Sequence, residues 1–178
     1  MNFEKPTNLK EEKDKEIQDM KRRVEKIEDK LGNPVDEGIK NTVVMFNICG
    51  FHTSQSCEGH PGEKHGTDFP WVQVGPEKPE KKEWKKDEQT RKIIKKKNKI
   101  LKKNLIDLLN EFYKNRETSF GIMLSIDDMS YNFRVQSIAG EVMDIMSEND
   151  KKEKLKEMKG EMDDFTEFLK NKFLNGEI

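Results

Sequence analysis

Cysteine is scarce in this sequence, with two residues in 178, and histidine contributes only three. Two cysteines cannot staple a small disulfide scaffold. The expectation is a reducing, cytoplasmic setting in which they serve as thiols or ligands. A Cys49–Cys57 bridge closing a short loop is the alternative. Long apolar runs are missing too. None approaches the length of a membrane span, and "MNFEKPTNLKEEKDKE" lacks the apolar stretch of a secretory signal, so no membrane partner is expected. The net charge of −1 removes any global pull toward nucleic acid or acidic membrane. Apolar side chains make up 32% against 39% charged, so part of the chain must be solvated helix or tail.

The apolar residues that are present cluster. Ile17, Met20, Val24, Ile27 and Leu31 follow a heptad spacing, which predicts a helix from about Asn8 to Leu31, laid on the domain or on its copy in a homodimer. Gly32 stops it. Asn33 and Pro34 read as cap and first residue of a second helix to Cys49, with Val35, Ile39, Val43 and Phe46 on one face and Gly50 as its stop. "HTSQSCEG" and "FPWVQVG" read as strands joined through Gly59-His60-Pro61-Gly62. A long helix has an apolar stripe that begins at Ile93 and ends at Phe112. "SFGIMLSI" and "YNFRVQSI" alternate as a hairpin around Asp127-Asp128-Met129-Ser130. A helix over Ser137–Met146, a charged joint "SENDKKEK" and a last helix carrying Leu155, Met158, Met162, Phe165, Leu169 and Phe173 complete the chain. The plan is ααββαββαα, an α+β fold. About four strands form an antiparallel or mixed sheet covered by helices on one face. An N-terminal amphipathic helix over 1–32 precedes a single α+β domain over 33–178.

All three histidines and one cysteine fall within "GFHTSQSCEGHPGEKHG", Gly50–Gly66. Cys57 and His60 stand at C-x2-H spacing, and His65 can fold back across the glycine-rich loop. Sulfur and imidazole together suit zinc, and three protein ligands suit an open site with water in fourth place. Glu58 or Asp68 is a candidate oxygen donor. His52, five residues up an extended strand, lies about 16 Å from Cys57 and is excluded. In a second reading Cys57 is a nucleophile with His60 or His65 as base, Glu58 beside it, and Arg134 orienting an anionic substrate. A third makes Ser54, Ser56, Gly59, Gly62 and Gly66 an anion-holding nest, in which Ser56 and Gly59 would bind a cofactor. In the fourth, Cys57 is packing and the histidines are surface residues.

Thr53, Ser56, Cys57, Gly59 and His60, followed by Pro70, Trp71 and Val72, resemble a T-x-x-S-C-x-G-H turn with a Pro-aromatic strand seen in small bacterial and phage proteins. The resemblance spans Thr53–Val74. It implies that the Ser56–His60 turn is that family's signature, and it brings no established activity. The turn is more distantly similar to the S-S-C-S-G-R turn of wybutosine-synthesis methyltransferases, which act on tRNA. His60 stands where that motif has Arg.

Charge is uneven along the chain. Lys78–Lys103 holds thirteen Lys/Arg against four Asp/Glu, while 141–178 holds seven against eleven. A lysine-rich helix can track phosphates, with Trp84 stacking on a base, or it can be a solvated face that the acidic C-terminal helix neutralises. Two functions therefore stand side by side. One is a small metalloprotein or enzyme built on the Cys/His turn. The other is a binding module that uses the basic helix for nucleic acid and the N-terminal helix for a partner.

Overall fold

A computed structural model describes residues 9–62, 66–79 and 82–178. The first helix, α1, covers Leu9–Val24 and buries Ile17 and Val24 against α2 (Lys40–Ile48) and the C-terminal helix α4 (Glu148–Asn175). It stops about two turns earlier than the heptad spacing predicts. The Asp29 carboxylate accepts the backbone N–H groups of Leu31 (2.7 Å) and Asn33 (2.9 Å), and Glu28 bridges Pro34. That side-chain competition turns the chain back on itself and leaves Ile27 and Leu31 exposed. The second helix also starts late. Pro34 is held in the bridge, Asp36 is extended (ψ 138°), and a 3-10 turn at Glu37–Ile39 leads into α2. The expected apolar face survives: Ile39, Val43 and Phe46 are buried. Gly50 takes a left-handed φ of +80° at the stop.

Strands β1 (Thr53–Cys57), β2 (Trp71–Val74), β3 (Leu124–Asp128) and β4 (Phe133–Ser137) form one antiparallel sheet in the order β1-β2-β4-β3. Alternation divides it cleanly. Val72, Val74, Phe133 and Val135 are fully buried on the inner face, and Trp71, Gln73, Arg134 and Gln136 lie on the outer one. β3 begins at Leu124, not at Ser119, and Phe120 is exposed. The edge strands are tied by side chains. Asn47 holds Thr53 at one end of β1, and the Tyr113 hydroxyl accepts from Leu124 N (2.7 Å) on β3.

Helix α3 (Glu88–Tyr113) starts where Asp87 caps Thr90 N, five residues before its apolar stripe becomes legible. Ile94, Leu105, Leu109 and Phe112 point inward. Trp84, in a 3-10 turn at Lys82–Lys85, is buried edge-on against Tyr131 (5.0 Å) and offers no face to a base. The expected α-helix after Ser137 is a 3-10 stretch, Ile138–Ile145. Its three-residue repeat turns Gly140 and Met143 inward and leaves Val142 and Ile145 exposed. The charged "joint" is the start of α4, where the Ser147 hydroxyl accepts from Asp150 N. Met158, Met162, Phe165, Leu169 and Phe173 then line its buried face. Phe165 meets Phe46 and Phe112 edge-on at the centre of the helix layer (6.0 and 5.2 Å), and each such ring contributes roughly 2–3 kcal/mol of burial.

Candidate metal centre

The late start of α2 makes a site. Because Asp36 is extended, its carboxylate reaches the end of β1, where Oδ2 accepts from Glu58 N (3.1 Å) and lies 3.1 Å from His60 Nε2. Cys57 is the last residue of β1, is paired with Trp71, and is 5% exposed as a residue. One ligand atom from each of Asp36, Cys57 and His60 lies within 4.8 Å of the other two. A tetrahedral zinc centre sets its donor atoms about 3.4–3.7 Å apart. Side-chain adjustments of roughly 1 Å close the triangle on an ion. The three side chains are thus close enough to hold a metal ion. A thiolate and a carboxylate would bring two negative charges to a divalent cation, with a neutral imidazole completing the set.

The backbone around the cluster is shaped for this convergence. Gly59 adopts φ +88° and donates its N–H to Cys57 Sγ (3.4 Å). A Cβ there would stand 2.6 Å from Leu155 Cδ1 and 3.0 Å from the carbonyl carbon of Phe69. His60 N donates to Thr67 O (2.7 Å), which ties the backbone at Thr67 to the cluster. Gly66, φ +104°, leaves room beside the same atoms, since a Cβ would lie 3.2 Å from His60 Cδ2 and 3.5 Å from the sulfur. Thr67 then takes the indole N–H of Trp71 (2.9 Å), so the loop, the sheet and the cluster are one unit.

Cys57 and His60 come together as anticipated. His65 lies outside the described residues. Glu58 points the other way: it accepts from Gly38 N and pairs with Lys159 (3.4 Å). Asp68 is held by Lys151 (2.8 Å). The carboxylate beside Cys57 and His60 is that of Asp36, which sequence spacing missed because an acid two residues after a proline looks like an ordinary first-turn helix residue. Ser56 pairs with Val72 and so sits on the sheet face opposite Cys57, while Gly59 serves through its N–H and its lack of a Cβ. Arg134 stacks on Trp71, with its guanidinium carbon 4.1 Å from the ring centroid and its Nε buried without a hydrogen-bond partner among the described residues. His52 is exposed at the far end of β1, as the strand geometry required. Cys49 is a free thiol at the end of α2. Burial pushes it up to about 12, so it is protonated at neutral pH.

No helix among the described residues is long and apolar enough to cross a membrane. No protein-family model, no curated protein and no solved structure matches the chain.

Proposed function

We propose that Asp36, Cys57 and His60 bind a divalent, zinc-type ion and leave one coordination position open. The observation that carries this reading is the convergence of three different donor types from two segments 21 residues apart in sequence. Three protein ligands plus a solvent position is the pattern of catalytic zinc sites, where the ion lowers the pKa of bound water to about 7. The reading is of a small metalloprotein able to carry a metal-activated water.

Metal affinity tests the reading. Chelator-stripped protein titrated with Zn2+ is expected to bind one ion per chain. Asp36→Ala, Cys57→Ser and His60→Ala should each lower affinity at least 100-fold, while Glu58→Gln and Asp68→Asn leave it within threefold. His65→Ala separates the two versions of the fourth position: a further large loss makes His65 a ligand, and an unchanged affinity leaves that position to water. Equal binding by the Cys57→Ser variant would remove the proposal.

A further inference from the structure

A second surface, independent of the metal cluster, lies on α3. From Gln89 to Ile106 the helix carries eight Lys/Arg and no Asp/Glu. Helix geometry sorts these charges. Ile94, Asn98, Leu105 and Leu109 define the inward side, and Lys92, Lys96, Lys99 and Lys103 fall on the opposite side at spacings of 4, 3 and 4. All four are exposed. They form one straight row about 16 Å long. Two neighbouring lysines are used within the fold: Lys95 sits over the Tyr131 ring (5.6 Å), and Lys102 pairs with Asp128 (2.5 Å). In the row, Lys92 meets Glu88 and Lys103 meets Asp107 only through solvated contacts along the helix, with the lysines more than three-quarters exposed. Such pairs hold their charges weakly and yield to a polyanion.

We infer that the Lys92–Lys96–Lys99–Lys103 row is a docking line for the phosphate backbone of nucleic acid, read without regard to sequence. The charge and its linear array fit a regularly charged polymer. The buried Trp84 removes base stacking, which leaves electrostatics as the whole of the affinity. An anionic bilayer fits less well. It asks for an apolar face to insert, whereas the exposed Ile93 and Ile100 lie on one flank of the row and Ile106 on the other, with lysine between.

The test is a salt series of fluorescence anisotropy on the full chain with a labelled duplex of about 20 base pairs and a single strand of equal length. Vesicles rich in phosphatidylserine and a poly-glutamate of matched charge serve as rival probes. Four contacts predict a slope of log affinity on log salt near −3.6 for the duplex, a loss of about 150-fold between 50 and 200 mM salt. Lys96→Glu with Lys99→Glu should halve the slope and lower low-salt affinity at least tenfold. Lys95→Gln with Lys102→Gln should leave the slope unchanged, and all variants should keep the wild-type circular dichroism spectrum. A slope shallower than about −1, an unaltered affinity on reversing Lys96 and Lys99, or tighter binding to vesicles or poly-glutamate than to the duplex would overturn the inference.

Discussion

Gly59→Ala is the most informative single change near the cluster, because two separable costs meet at one atom. An L-residue at φ +88° costs about 1–2 kcal/mol on backbone grounds alone. The added methyl would stand 2.6 Å from Leu155 Cδ1, and relieving that overlap by shifting α4 or the leucine costs roughly 1–3 kcal/mol more. The sum is about 2–5 kcal/mol, a large fraction of the stability of a domain this size. Leu155 is half-buried, so Leu155→Ala alone should cost about 1–2 kcal/mol. In the double variant the side-chain overlap disappears while the backbone term and the contact with Phe69 remain. Urea unfolding of the wild type, both single variants and the double variant should therefore give a coupling of about 1–3 kcal/mol in the direction of rescue. A Gly59→Ala cost below about 1 kcal/mol, or strict additivity with Leu155→Ala, would refute the claimed close approach of the Cys57 turn to α4.

Two further expectations concern groups away from the cluster. The Cys49 thiol titrates near 12 in the folded chain against an ordinary 9.0, so between those values the unfolded chain gives up a proton that the folded chain keeps. Stability should then fall with rising pH, by up to about 1.4 kcal/mol per unit from this group, and Cys49→Ala should make the decline shallower; parallel urea midpoints for the two proteins from about pH 8.5 to 11 would contradict this. Arg116 holds Glu161, which is 4% exposed, and the exposed Asp164, each at 2.8 Å. Arg116→Met should cost about 2 kcal/mol by leaving a buried carboxylate without its cation, and adding Glu161→Gln should recover about half of that in thermal or urea melts.

Much of the architecture was readable because the apolar residues keep strict periods. Val72/Val74 and Phe133/Val135 alternate against polar partners, and Met158 to Phe173 follow a helical repeat, so the strands and the last helix were predictable from spacing. The departures occur where a local hydrogen bond or a tighter helix outweighs the pattern. Asp29 captures the N–H of Leu31, which the heptad reading assigned to a helix. The 3-10 stretch at Ile138–Ile145 buries Gly140 and Met143 in place of the residues a 3.6-residue repeat selects. The candidate site was half legible. Cys57 and His60 declare themselves by spacing, whereas Asp36 joins them only because Pro34 and the bridge to Glu28 keep the chain extended there. Distance in sequence hides that partner, and no short motif could have named it.

X-ray absorption of the zinc-loaded protein probes the heart of this account. A single sulfur near 2.3 Å with the remaining donors being nitrogen or oxygen at about 2.0–2.2 Å, and loss of the sulfur shell in Cys57→Ser, is the expected spectrum. A shell containing two sulfurs, or none, would contradict a centre made by Asp36, Cys57 and His60.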